Sequence, residues 1–574
     1  MMKDFYIDVL VVLPLDNLFT YKSNYETKIG SIVKVPFGNN NEIIKAIVIS
    51  KPYTIKEKFL TKDVISVENY ESILSVNQIE LLKWSSKYYL VSLPKIFNSI
   101  FSKQILNLKI DKLNEANLLM KNKKNQVNLI VDHSRDILNN IIIDIKSNKI
   151  EDQKLILSPN TFQTQYSYKI LSKTIKNIYI YDSKTSIKDK LTIWKKILKN
   201  EKILILGTKS AVFLPFKTLN KIYVIYEHNF LFKETEKVIR YNAKDCAIVL
   251  SKVHKCDINL ISDSPSIESM YNVKNNKFKF YDKSGKLNLK TDLKKITIYN
   301  KFEKKIKNSI NGIISKEILE EIKYNYNNKK KTIVFTPYSY DVETLYDSIK
   351  NNNRDYNIFS LSKNKKFTRS QLNDFYENIN DCDLIIGNYS VIDSLETYNY
   401  SLLILIDPDK ISSLTNYKSN EVFFQLIFKV IKKVNYDSDK KLILQLINSN
   451  PESLKDNIRL DYYKIISKEM NERKLFEYAP YKRLISIEIR SKNKINLESK
   501  GKKLFDKLKN KLKFCSPTDI GVVNNKKGYV YKVYLKLDRI KNLTKNKIKI
   551  YDLINKIKKR KEFFNNLITI DVDP

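Results

Sequence analysis

Ten short apolar runs, each separated from the next by enough chain for a helix, limit this 574-residue sequence more than any other feature. The first five are Lys154–Leu157, Ile178–Tyr181, Ile203–Leu206, Ile222–Ile225 and Asn259–Ile261. The second five are Thr332–Phe335, Asn357–Ser360, Leu384–Ile386, Leu402–Ile406 and Leu442–Gln445. Runs of this length are those of buried strands, and strands alternating with helices build parallel sheets. The pattern predicts two α/β lobes, at 151–295 and 296–450. In such sheets ligands sit at the C-terminal ends of the strands. Two of those ends read Gly207-Thr208-Lys209-Ser210 and Tyr226-Glu227-His228-Asn229.

The flanks differ. Residues 1–105 read as a small β-rich domain. Ile7, Val9 and Val11 alternate, Leu18–Tyr21, Ser31–Val35 and Glu42–Ser50 follow, and Pro and Gly mark the turns. Ser75 with Gln78 predicts a capped helix that Pro94 closes. Residues 106–150, rich in Lys, Asn and Asp, read as a linker. Residues 451–574 form an α+β domain in which Tyr529–Leu537 alternates like a strand.

Charge narrows the partner. The formal net charge is +40, and such a field favours nucleic acid without regard to sequence. Only ten of the 103 basic residues are arginine, and Asn, Ile and Tyr are abundant. The same composition follows from an A/T-rich genome, so part of the charge is explained without selection for binding. Cys246, Cys256, Cys382 and Cys515 form no C-x-x-C pair, so no zinc framework is visible, and their scarcity fits a reducing cytosol. The start has no signal-peptide pattern, and no apolar run approaches the ~18 residues of a membrane span. A cytoplasmic protein without a membrane partner is expected.

Triphosphate binding is the chemistry most clearly missing. A P-loop needs glycines for close backbone approach, then Lys, then Ser or Thr for magnesium. The chain has no glycine between Gly38 and Gly207, the interval in which that loop would precede Lys154–Leu157. Gly207-Thr208-Lys209-Ser210 does not serve, because its lysine does not follow the glycine and no glycine lies five residues upstream. Its two readings are a DNA-backbone contact through Gly207, Lys209 and Ser210, or a plain strand-to-helix turn.

The order of motifs resembles the PriA family of replication-restart helicases. Gly207-Thr208-Lys209-Ser210-Ala211 resembles G-T-R-S-A, Glu227-His228 the end of D-E-E-H-D, and Arg240-Tyr241-Asn242-Ala243-Lys244-Asp245 the stretch R-Y-x-A-R-D. Ser262–Ser269 resembles S-A-T-P-S-L-E-S, and Glu421–Leu426 resembles E-R-x-F-Q-L. Ile570–Pro574 matches the closing V-D-V-D-P. The resemblance implies two RecA-like lobes, a 3′-DNA-end-binding domain at 1–105 and a DNA- or partner-binding domain at 451–574. A shortened winged-helix remnant would lie within 106–150. By alignment the 3′-end pocket is Phe19, Thr20, Tyr21, Gly38 and Lys62; a lone aromatic there reads first as barrel core, and the run Val35-Pro36-Phe37-Gly38 at this distance favours the pocket.

The same alignment places Ile225 and Tyr226 where the family has its magnesium-binding Asp and catalytic Glu. Glu227 and His228 are what remains, and a lone His reads first as a structural hydrogen-bonding group. Val430-Ile431-Lys432-Lys433-Val434 replaces V-A-G-R-A-G-R, and no arginine lies between Arg369 and Arg459 to act as a finger. Thr336–Tyr340 runs on without the family's cysteine-rich zinc insertion. Glu472 and Arg473 read as a surface ion pair or a binding pair. The expected role is binding of forked or branched DNA and help in reloading the replicative helicase, with ATPase activity lost. ATP and magnesium enter only by resemblance, and no zinc is expected. The helicase loader, the replicative helicase and single-stranded-DNA-binding protein are partners by resemblance. Two alternatives are an active ATP-dependent 3′→5′ helicase with altered motifs, and a decaying non-catalytic nucleic-acid-binding protein.

Overall fold

Alternation in the first strand builds the N-terminal sheet. In this computed structural model β1 (Phe5–Val11) turns Ile7, Val9 and Val11 into a cluster with Tyr21, Val33, Val35 and Val48. Leu10 faces the opposite way, onto a larger core. β2 (Phe19–Ser23), β3 (Ile32–Phe37), β4 (Glu42–Val48) and β5 (Ser66–Asn69) complete an antiparallel sheet of order β2-β1-β4-β3-β5. A bridge between Lys22 and Asp63 ties its β2 edge to the segment before β5. The structure describes residues 5–54, 61–108, 110, 125–132, 137–147, 152–283, 293–300, 309–310, 313–361, 367–389, 392, 398–412, 416–435, 437–447, 454, 462–525, 528–539, 542–563 and 566–574.

Helix α1 (Val76–Tyr89) starts where expected, with the Ser75 hydroxyl accepting the Gln78 N–H at 3.1 Å. Pro94 does not close the segment. It sits in the first turn of α2 (Leu93–Ile100), where its missing N–H has no helical partner to lose.

The first lobe is a parallel sheet of seven strands rather than five. They are β6 (Val127–Val131), β7 (Gln153–Leu157), β8 (Ile178–Tyr181), β9 (Leu204–Gly207), β10 (Leu219–Ile225), β11 (Asp257–Ser262) and β12 (Lys279–Asp282), in the order β12-β6-β11-β10-β7-β9-β8. Helices α3 (Ile137–Ser147), α4 (Thr161–Leu171), α5 (Ile187–Leu198), α6 (Ala243–Val253) and α7 (Ile267–Lys274) connect them. The expected linker or winged-helix remnant at 106–150 is therefore corrected. Its described second half supplies β6, paired in parallel with β11, and α3. Asn128 disguised the strand, but its amide bonds to Asn259 Oδ1 at 2.9 Å while Leu129 and Val131 are buried.

The second lobe holds β13 (Ile296–Asn300), the small hairpin β14 (Ser309–Ile310) and β15 (Ile314–Ser315), then β16 (Thr332–Phe335), β17 (Ile358–Leu361), β18 (Leu384–Gly387), β19 (Leu402–Ile406) and β20 (Lys441–Leu446). Its six-stranded parallel sheet runs β13-β20-β19-β16-β18-β17. Helices α8 (Lys316–Asn327), α9 (Ser339–Asn352), α10 (Arg369–Asn378) and α11 (Ser419–Asn435) belong to it. One apolar cluster runs through both lobes, from Ile141, Tyr166 and Tyr226 to Phe335, Phe375 and Ile427.

The C-terminal part opens with α12 (Tyr462–Leu475), whose Ile466 and Met470 pack on Ile267. β21 (Arg483–Ser491), β22 (Ser516–Asn525), β23 (Gly528–Leu537) and β24 (Leu567–Val572) form an antiparallel sheet in the order β22-β23-β21-β24. Helices α13 (Lys494–Lys511) and α14 (Leu543–Lys558) set Leu504, Leu508, Ile550 and Ile554 in one core with Ile485, Ile487 and Ile489. Gly501 lets α13 lie on a tyrosine ring: a Cβ there would stand 2.2 Å from Tyr531. Among the described residues no helix is long and apolar enough to cross a membrane.

Candidate nucleic-acid site between the lobes

The strand ends of both lobes open onto one cavity of about 1160 Å³. Phe162, Lys184 and Phe230 line its first-lobe side, Tyr338 and Tyr389 its second-lobe side, and Arg539 comes from the C-terminal domain. These residues follow β7, β8 and β10, and β16 and β18. Phe230 reaches across to Tyr389, ring centres 4.8 Å apart and edge to face. Aromatic faces beside cations are the means by which single strands are held.

Glu227 does not face that cavity as a free base. Its Oε2 lies 2.7 Å from Lys244 Nζ and accepts the Ser266 and Ser269 hydroxyls, while Oε1 accepts the Ser266 N–H. Burial alone would push the Glu227 carboxyl up, but Lys244 and that N–H outweigh it and hold it below its usual range. The acidic-box remnant thus joins the start of α7 to α6. His228 is a buried imidazole, its Nδ1 2.6 Å from Ser262 Oγ. Burial lowers its pKa, against the pull of Asp263 3.8 Å away and of Glu227.

The slots around it carry residues other than the family's nucleotide motifs. The strand–loop–helix unit that a P-loop occupies corresponds to β6 and α3, joined by residues 132–136, which include no glycine. Residues 133–136 lie outside the described residues. Asp132 accepts the Asn140 amide at 2.8 Å. Ile225 and Tyr226 are buried, and the Lys429 ammonium sits 4.5 Å from the Tyr226 ring centre. With no glycine to break it, α11 runs on through the slot expected for an arginine finger, and Lys432 donates to the Asp263 carbonyl at 2.6 Å.

Further bridges join the lobes. Arg369 pairs with buried Asp182 at 2.6 Å and donates to Gln165, Gln165 reaches Asn373, and the Tyr376 hydroxyl donates to the Phe162 carbonyl. Glu421 accepts the Ile267 N–H at 2.9 Å and Arg473 at 2.7 Å. This corrects the surface reading for Arg473 alone: Glu472 is exposed, whereas Arg473 is 2% exposed and joins α12 to both lobes through Glu421 and Glu268. Arg240 reaches Glu488, Asp571 and Thr569 of the C-terminal sheet. Sequence reasoning missed Asp182, Arg369, Lys429 and Lys432 as joints, because their partners lie in the other lobe.

Gly207 is held by its neighbours, since a Cβ would stand 2.7 Å from the Tyr181 carbonyl. Lys209 pairs with Glu234 at 3.2 Å, and Ser210 sits half-buried in the turn that follows β9. In the N-terminal domain the five pocket residues separate. Phe19 packs edge-on against Phe37 at 5.0 Å, and Lys62 donates to the Gly38 carbonyl at 2.7 Å. Tyr21 is core, its hydroxyl bonded to the Pro36 carbonyl. Thr20 turns to the opposite face and donates to Asp8 at 2.7 Å, where the Tyr53 hydroxyl also donates.

Two parallel-sheet lobes with a shared cavity at their strand ends define a tandem RecA-like fold. A family model described as the 3′ DNA-binding domain of PriA matches residues 8–102. Replication restart protein PriA of Borreliella burgdorferi is 24% identical over 95% of this chain and 96% of its own length. The Helicobacter pylori protein of that name is 23% identical over 93% and 94%. The one from Rickettsia felis is 28% identical, but the match spans 56% of this chain and 52% of that protein. Among solved structures, S. cerevisiae Dbp5 bound to RNA and ADP BeF3 shares 12% identity at a TM-score of 0.43, covering 69% of this chain and 97% of that one. RecG bound to a three-way DNA junction shares 11% at 0.38, covering 60% and 44%. The domain match and the near-full-length similarities together support a divergent PriA.

Proposed function

We propose that this protein recognises forked or branched DNA and helps reload the replicative helicase at stalled forks, without ATP turnover. One observation carries the reading. The motif residues the chain keeps are spent on joints between its parts, namely Glu227, Lys244, Ser266, Glu421, Arg473 and Arg240. The positions that would cradle a triphosphate, hold magnesium or supply the finger carry apolar, tyrosyl or lysyl side chains, or lack glycine. Each such group supplies orders of magnitude to phosphoryl transfer, so their joint replacement supports a binding role. Lys429, Lys432 and Arg369 link the lobes through Tyr226, Asp263 and Asp182.

In this reading Phe19, Gly38 and Lys62 hold the 3′ end of a nascent strand, with the Thr20–Asp8 pair behind them. Gly207, Lys209 and Ser210 lie along the backbone of a single strand, whose bases meet the cavity. A helicase loader and single-stranded-DNA-binding protein are its partners. The test compares affinity for a fork ending in a 3′-hydroxyl, the same fork ending in a 3′-phosphate, and a blunt duplex, at 0.15 M salt. The expected order is hydroxyl fork, phosphate fork, duplex. Equal affinity for all three would leave only nonspecific charge and overturn the proposal.

A further inference from the structure

Beside the first-lobe wall of the cavity, three lysines lie near two engaged carboxylates, Lys209 and Lys237 near Glu234 and Lys190 near Asp182, which Arg369 already pairs. Lys190 of α5 places its ammonium 5.8 Å from the Tyr181 ring centre. Tyr181 ends β8 in register with Gly207, from which the chain turns into Lys209–Phe213. Lys209 lies 3.2 Å from Glu234 and 3.5 Å from the Lys233 carbonyl. Lys237, half-buried three residues after Glu234, completes the group. Burial depresses its pKa, and Lys209 and Lys190 add to that by repulsion, with Glu234 pulling the other way. Glu234 is already engaged, its Oε1 accepting the Thr235 and Glu236 N–H groups at 3.0 Å. Among the described residues neither Lys190 nor Lys237 has a carboxylate within ion-pair distance. Lys184, Lys233 and Thr235, which surround the group in sequence, line the cavity.

Half-buried like charges gathered near carboxylates that are already engaged are unfavourable until a further anion joins them. We propose that Lys190, Lys209 and Lys237 form a seat for a backbone phosphate of the single strand, fixing its path across the ends of β8 and β9. Only Lys209 belongs to a motif visible in the sequence. Lys190 and Lys237 come from α5 and from the loop after β10, and no spacing joins them. The seat rests on the DNA-binding reading above.

The test is a salt titration of binding to a fork with a single-stranded arm, from 50 to 200 mM, using the full chain. The double variant Lys190→Gln, Lys237→Gln is expected to lower the slope of log affinity against log salt by about 1, with a roughly tenfold loss at 0.1 M. Lys190→Arg with Lys237→Arg should keep the wild-type slope, which separates lost charge from lost folding. Lys329→Gln, an exposed lysine at the far end of the second-lobe sheet, should also leave it unchanged. A glutamine double variant with the wild-type slope overturns the seat while the wild type still prefers forks. A wild type without that preference overturns the reading beneath it.

Discussion

Lys244→Met is expected to cost the first lobe about 3–5 kcal/mol, because deleting one partner of a buried pair strands the other charge. Glu227 has no exposed side-chain surface, and Lys244 at 2.7 Å is its one close cation among the described residues. The serine hydroxyls and the N–H that remain are neutral donors. Glu227→Gln in the same background should return much of the loss, since the charge then leaves with its partner. Urea unfolding of the two single variants and the double variant closes the cycle. A single-variant loss below about 1 kcal/mol, the range of an exposed pair, would contradict the joint.

The pH dependence follows in sign. Glu227 is depressed below its usual 4.5, so its contribution is complete above that value and is lost as pH falls through the folded pKa. Lys244 is raised above 10.5, so its share is complete below that value and is lost only as pH rises through its higher folded pKa. The pair therefore gives stability that is flat through neutrality and declines on the acid side below about pH 4.5.

Arg240→Ala is the second large effect. Its guanidinium serves Glu488 at 3.0 Å and Asp571 at 3.2 Å, on the face of the C-terminal sheet that meets the first lobe. Lys233 still stands 2.7 Å from Asp571, and Lys532 stands 3.5 Å from Glu488. The expected loss is thus at the low end for a broken buried pair, about 3 kcal/mol. That raises the population of an undocked C-terminal domain about a hundredfold. Limited proteolysis reads it as faster cleavage between α12 and β21, because cleavage follows the open population. Cleavage at the wild-type rate would contradict the docking role.

The strands of both lobes were legible because buried parallel strands are written as Ile, Leu and Val runs such as Leu402–Ile406. β6 and α3 were not, because Asn128, Asn139 and Asn140 interrupt the apolar positions and their surroundings are Lys- and Asn-rich. Only the sheet shows that Asn128 pairs with Asn259. The departures from the family's triphosphate motifs were visible as missing glycines and arginines, since that chemistry needs those residue types at fixed spacing. What took their place was hidden. Arg369 and Asp182 are 187 positions apart, and no local pattern tells a cation at a lobe joint from one in solvent. Arg473 shows the same: a residue beside Glu472 on a polar helix reads as surface, yet its partner Glu421 lies 52 positions earlier. The pocket residues split for a similar reason. Phe19, Thr20 and Tyr21 are consecutive in a strand, so they must alternate faces.

The central claim is that protein contacts hold this frame in its DNA-binding form without nucleotide. A ligand that does not distinguish two states cannot shift them. Fork affinity measured by anisotropy, with and without millimolar ATP and magnesium and with phosphate release followed in the same samples, tests it most directly. The predicted result is one affinity in both conditions and no release above that of fork-free protein. A fork affinity that moves with ATP, or release that rises when fork is added, would contradict it.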